Sequence, residues 1–298
     1  MTFKRASHRD IAFVFQLFAL YPHMSVRKNI AFPLLSQGMA RREIDAKVAE
    51  AARILRITAL LDKSVSGLSS GDRQRVALGR AIVRQPLAFM MDEPLGALDS
   101  EFRELMCQEL RGLHDRLGAT TVYVTHDQVE AMAMADTIAI MNRGVIEQLG
   151  APQQVYDRPA SVFVADFIGA PSMNFIPFAG AYASGTRQVA IGAATVQVAP
   201  LAEGVTERAL LCGVRPEHVR FDESSALRAE VVGTEYLGHS QIVTLSTAVG
   251  STLRAKVGVH VAAQRGDHVG LAFDARSVSL FDRESGRALA LHREAVDG

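Results

Sequence analysis

The sequence predicts an α/β domain with a mostly parallel sheet, followed by a small all-β domain. Residues 11 to 150 alternate short apolar runs with amphipathic helical patterns, the mark of βαβ units. Near Pro171 the texture changes, and residues 176 to 285 carry short Val- and Ala-rich runs separated by Gly, Ser and Asp, the spacing of a barrel-like β domain. At 298 residues the chain has room for two buried cores, and no internal repeat of fixed period is visible.

Taken in order, IAFVF (Ile11 to Phe15) reads as a buried strand. In RREIDAKVAEAARILRITALLD, Ile44, Val48, Ala52 and Leu55 share one helical face. A helix follows Ser69-Ser70-Gly71, and LAFMM (Leu87 to Met91) is an apolar strand. Asp99 or Ser100 caps the next helix, with Glu101 placed favourably in its first turn. Phe102, Met106, Leu110, Leu113 and Leu117 form its apolar stripe, and Gly118 stops it. TTVYV is a β-branched strand leading to His126, and TIAIMNRGVIEQLG reads as two strands around an Arg143-Gly144 turn. PASVFVADFIGAPSMNF supplies a short helix and a connector to the β-rich region.

Lys plus Arg and Asp plus Glu number 32 each, so no net field draws nucleic acid or an anionic lipid surface. The apolar runs fall short of the roughly 18 to 20 residues that cross a bilayer. Cys107 and Cys212 lie in different halves of the chain and imply no disulfide framework. The nine histidines show no metal-ligand spacing, so no structural metal site is expected. The first residues carry no signal-peptide pattern, which makes the cytoplasm the expected compartment.

Several elements bear chemistry. LSSGDRQRVALGRA puts Ser69, Ser70 and Gly71 at a helix mouth, where free N–H groups and the positive dipole end favour an anion. The same residues also make an ordinary N-cap. In LAFMMDEP a buried strand ends in two carboxylates. Asp92 can hold a Mg²⁺ that bridges phosphates, and Glu93 can orient and deprotonate a water; a polar turn is the plainer alternative. His126, in VYVTHD, ends the next strand. Because ligand sites gather at the carboxyl ends of parallel strands, Gln16, Asp92, Glu93 and His126 are expected in one crevice.

In this order and spacing, VFQ…ALYPHMSVRKNIAF, LSSGDRQRVALGRA, MMDEPLGALD and VTHDQVEAM resemble the nucleotide-binding subunits of ABC transporters, more narrowly the importers of sugars, polyols and glycerol phosphate. The likeness extends through ADFIGAPSMNF, GVRPEHV and GDHVGLAFDARSVSLFDRESGRAL to a linker and a C-terminal OB-like regulatory (TOBE) domain. It implies a P-loop NTPase (ABC) domain over residues 1–165, a linker over 166–175 and the regulatory domain over 176–298, with ATP and Mg²⁺ as cofactors. By the same resemblance Gln16 is the Q-loop glutamine that contacts Mg²⁺ and the attacking water. Ser69 and Gly71 touch the γ-phosphate of ATP held by a second nucleotide-binding subunit, with Asp99 the D-loop aspartate. Asp92 holds Mg²⁺, Glu93 is the catalytic glutamate, and His126 is the switch histidine. Leu17 to Met24 receive a transmembrane permease subunit. An extracytoplasmic solute-binding protein is an indirect partner, and the chain sits on the inner face of the membrane.

Three features depart from the family pattern. Ser70 replaces a usual glycine and crowds a backbone meant to approach phosphate. Asp72 replaces a usual glutamine, and a lone carboxylate there repels an anion, so Asp72→Gln is expected to strengthen ATP sandwiching. The largest departure is the missing phosphate loop. The first glycine is Gly38, and none of the five lysines (Lys4, Lys28, Lys47, Lys63 and Lys256) follows a glycine, so no G-x-x-x-x-G-K-[ST] occurs. The chain is therefore expected to begin inside the catalytic domain, through a mis-called start or a truncation, and to be inactive alone. The alternative is a non-catalytic regulatory subunit that offers its signature residues in trans to a complete partner.

Overall fold

The computed structural model describes residues 3–5 and 8–292, in two compact units that divide at Ala135 and Asp136. The first unit runs β1 (Ile11–Val14), α1 (Val26–Ser36), α2 (Arg41–Ile54), α3 (Ser70–Ile82), β2 (Ala88–Asp92), α4 (Ser100–Leu117), β3 (Thr120–Val124) and α5 (Gln128–Met134). Its sheet is parallel, in the order β1-β2-β3.

Side chains alternate across these strands, so one face of the sheet is core. Ala12, Val14, Phe89 and Met91 are all buried there. The helices pack their expected stripes into the same core: Ile44, Val48, Ala52 and Leu55 in and just after α2, and Met106, Leu110 and Leu113 from α4, with Phe102 partly buried against it. The side chain of Leu117 lies outside the described residues. Asp99 Oδ1 accepts the Phe102 N–H at 2.9 Å and caps α4, which ends at Gly118 in the left-handed region (φ 58°).

The opposite face is bare. Phe13, Met90 and Val122 lie side by side in register across the three strands, at 42%, 39% and 51% exposure. Parallel sheets ordinarily have both faces covered. We expect concentration-dependent self-association of the isolated chain, and Met90→Lys combined with Val122→Glu should reduce it in light scattering. An unchanged scattering profile would show that this face does not drive association.

The second unit starts with the hairpin β4 (Ile138–Asn142) and β5 (Val145–Gly150), which turns through Arg143 (φ 48°) and Gly144 (φ 83°) as its sequence requires. This hairpin clusters with the C-terminal unit and is not part of the parallel sheet. Next come α6 (Pro152–Asp157), absent from the sequence reading, and α7 (Val162–Phe167). The β-rich part holds β6 (Asn174–Tyr182), β7 (Gln188–Ile191), β8 (Ala194–Gln197), β9 (Val205–Val214), β10 (Val219–Phe221), β11 (Arg228–Tyr236), β12 (Ser240–Thr247), β13 (Thr252–Gly258), β14 (His268–Phe273) and β15 (Ser279–Asp282). Every pairing among them is antiparallel, in sheets ordered β10-β14-β11-β12-β13 and β15-β9-β6 with the pair β7-β8. Ile176, Leu210, Cys212, Val214, Val231, Val243, Leu245 and Leu253 fill the core between them.

Candidate functional site

Glu93 follows directly on β2 and has φ 45°, a left-handed conformation that costs a non-glycine residue about 1–3 kcal/mol. Two bonds hold it there. Its N–H donates to the Val124 carbonyl at 2.9 Å, and its carbonyl accepts from Gln74 Nε2 at 3.0 Å. Gln74 is buried in α3, and its Oε1 accepts the Ala97 N–H at 3.1 Å, so one amide spans the whole turn after β2. Sequence reasoning missed Gln74. The available signal was a polar residue on the helical stripe shared with Ala77, Leu78 and Ala81.

The Glu93 carboxylate joins two of the other expected residues. Oε2 accepts from Gln16 Nε2 at 2.7 Å, and Oε1 lies 3.1 Å from His126 Nδ1. Side chains from beyond the carboxyl ends of β1, β2 and β3 thus meet at one acid whose side chain stays 28% exposed, within reach of water. Asp92 closes β2 opposite Val124 and is half-buried on the Met90 side of the strand. It is adjacent to the Gln16–Glu93–His126 group and outside its hydrogen bonds.

Ser69, Gly71 and Asp99 sit at two helix mouths. Ser69 caps α3 by accepting the Asp72 N–H at 3.1 Å. Gly71 is needed for packing within the chain: a Cβ there would lie 3.1 Å from Leu98 Cδ2 and 3.5 Å from the Ala97 carbonyl, in the loop just before Asp99. The Asp72 carboxylate forms an ion pair with Arg75, which also donates to the Leu55 and Arg56 carbonyls. Its charge is balanced inside its own helix, so Asp72→Gln should strengthen nucleotide-driven association less than removal of a lone carboxylate would. Sedimentation of the two proteins with nucleotide checks this.

Arg103 ties the Asp99 loop to the His126 loop. It donates to the Leu98 carbonyl at 2.7 Å and to Asp127 Oδ2 at 3.1 Å, and its Nε lies 3.6 Å from Glu130 Oε1. Asp127 caps α5 through the Val129 N–H at 2.8 Å. Buried Glu130 accepts the hydroxyls of Tyr123 and Thr125, each at 2.8 Å. Burial, reinforced by the Glu130 carboxylate, pushes the Tyr123 phenol well up, so it stays a donor. We expect Arg103→Met to cost about 2–3 kcal/mol in denaturant unfolding, since it strips a charged donor from two acids. Both thiols are buried, and burial raises Cys107 to about 11 and Cys212 to about 12.

The chain is similar to known proteins over most of its length. The ABC transporter family model matches residues 2–96, and the TOBE domain model matches residues 212–281. The trehalose/maltose import ATP-binding protein MalK of Thermococcus litoralis is 45% identical over 295 residues, covering 94% of this chain and 78% of that protein. The trehalose import ATP-binding protein SugC of Mycobacterium tuberculosis is 42% identical over 331 residues, covering 98% and 82%. The sn-glycerol-3-phosphate import ATP-binding protein UgpC of Ruegeria pomeroyi is 44% identical over 287 residues, covering 95% and 79%. The chain belongs to the family of ABC transporter ATP-binding proteins, the ATP-hydrolysing subunits of transporters. Its architecture is an ABC ATPase domain followed by an antiparallel TOBE domain.

The donor set at the sheet rim fits one side of an ATP site. Among the described residues no three His, Cys, Asp or Glu side chains could together hold a metal. A cradle for the β- and γ-phosphates does not fit, because the sequence has no G-x-x-x-x-G-K-[ST].

Proposed function

We propose that this chain is the ATP-hydrolysing subunit of an importer for a sugar or a related polar solute such as glycerol phosphate, and that its phosphate cradle comes from outside these 298 residues. The observation that carries the reading is the convergence of Gln16 and His126 on Glu93. Glu93 takes a proton from a water that Gln16 orients, and His126 steadies the acid from its other oxygen. Asp92 and Gln16 would hold Mg²⁺, which supplies charge neutralisation at the phosphates when bound. Ser69, Gly71 and Asp99 face the nucleotide of a second such subunit in a dimer. The domains are those read from sequence: the ABC domain over 1–165, the linker over 166–175 and the regulatory domain over 176–298.

Leu17 to Met24 form the surface for a membrane-spanning permease subunit, through which a solute-binding protein outside the cell acts indirectly. Leu17, at 87% exposure, presents the largest apolar contact there. No helix among the described residues is long and apolar enough to cross a membrane, which suits peripheral attachment to its inner face. Supplied with a G-x-x-x-x-G-K-[ST] segment and assembled with membrane subunits, the chain should hydrolyse ATP faster in the presence of solute, and Glu93→Gln should lower the rate about a hundredfold or more. A rate that ignores solute would refute the importer reading.

A second reading is favoured by the Ser69 cap, which leaves the α3 mouth formed and exposed without any phosphate loop. Here the chain is a regulatory subunit that serves its partner's ATP in trans. Ser69→Arg should then abolish turnover in the mixture while Glu93→Gln leaves it unchanged.

A further inference from the structure

The loop after β1 has two consecutive left-handed residues that are not glycine, Phe18 (φ 63°) and Ala19 (φ 48°). Such a kink persists only where its surroundings over-determine it. Arg80, in the last turn of α3, supplies the restraint. Its Nη1 donates to the Ala19 carbonyl at 2.8 Å and its Nη2 to the Phe18 carbonyl at 3.1 Å, while the guanidinium lies 5.5 Å from the Tyr21 ring centroid. Tyr21 is itself fixed by buried Asn29, which accepts its N–H at 2.9 Å and donates to its carbonyl at 3.1 Å. Just upstream of the kink is Gln16, whose amide reaches Glu93. At the far end of α3, roughly 16 Å from Arg80 by helical rise, Ser69 caps the helix mouth.

We propose that Arg80 is a positioning residue that holds the kink at Phe18 and Ala19, so aims Gln16 at Glu93, and ties the exposed surface from Leu17 to Met24 to the helix that starts after Ser69. The inference rests on the proposed roles of Gln16 and Glu93, but its test needs no nucleotide.

Hydrogen exchange on the full chain reads the kink. Arg80→Met should speed exchange at residues 16–24 at least tenfold and leave α2 unchanged. Arg80→Lys, which keeps one donor, should fall between, and it serves if the Met variant does not fold. Ala19→Gly in the Arg80→Met background should recover protection several-fold, because glycine takes a positive φ freely. A second readout is the Gln16 side-chain amide resonance, which should move in Arg80→Met as it does when Glu93→Ala removes its acceptor. Unchanged exchange at residues 16–24 in a folded variant, no recovery with glycine, or a stationary Gln16 resonance would each overturn the proposal. Failure of the importer reading would show as missing solute stimulation and leave these differences intact.

Discussion

Alone, the 298-residue chain should release phosphate from ATP no faster than its Glu93→Gln variant. Phosphoryl-transfer enzymes supply mainly positioning and charge stabilisation, and the loop that cradles the β- and γ-phosphates supplies much of both. Removing a single preorganised donor from such a site typically costs about 10²–10³ in rate, and here the loop and its lysine are both missing from the sequence. Glu93, Gln16 and His126 are nevertheless assembled, so on the proposed reading the acid is in place and only the phosphate cradle is missing from this sequence. A wild-type rate clearly above that of Glu93→Gln would mean that phosphates are held by residues other than a glycine-rich loop.

Arg215→Ala should lower the stability of the second unit by about 3 kcal/mol, read as a lower urea midpoint. Arg215 is only 2% exposed. It donates to the Tyr156 carbonyl at 2.6 and 3.2 Å and to the Ile168 carbonyl at 2.6 Å, with its guanidinium 3.6 Å from the Tyr156 ring centroid. The Tyr156 hydroxyl donates in turn to Glu217. One side chain therefore fixes α6 and the end of α7 to the start of the loop after β9, and its loss removes the donor from the part-buried Tyr156 carbonyl and the buried Ile168 carbonyl. Arg215→Lys should recover only part of the loss, since an ammonium cannot stack or span both carbonyls. Gly169→Ala should approach the same penalty by another route. Its φ is 120°, and an added Cβ would lie 2.5 Å from Arg215 Nη1. An Arg215→Ala midpoint equal to wild type would remove Arg215 from this role.

The residues that meet at Glu93 were legible because strand ends are legible. Apolar runs fix where strands stop, and parallel strands deliver the next polar residue to a common rim, which is why Gln16, Glu93 and His126 converge. The helix caps at Ser69 and Asp99 followed from local backbone need in the same way. Gln74, Arg80, Arg103 and Arg215 were not singled out. Each acts by donating to backbone carbonyls brought near only by tertiary packing, and in the sequence such residues look like ordinary polar positions. The self-neutralised Asp72 belongs with them, since its pairing with Arg75 depends on rotamers that spacing alone does not choose. The bare face bearing Phe13, Met90 and Val122 is a third kind of gap: alternation marked these residues as apolar without saying which face would go uncovered.

The most direct test of the hydrolytic reading restores what the sequence lacks. A strand, a G-x-x-x-x-G-K-[ST] loop and a helix would be placed ahead of Met1 and ATP turnover measured with Mg²⁺. The account predicts that turnover appears and that Glu93→Gln lowers it about a hundredfold or more. Restored Mg²⁺-ATP binding with no turnover, or turnover indifferent to Glu93→Gln, would contradict the assignment of Glu93 and its two partners as the water-activating centre.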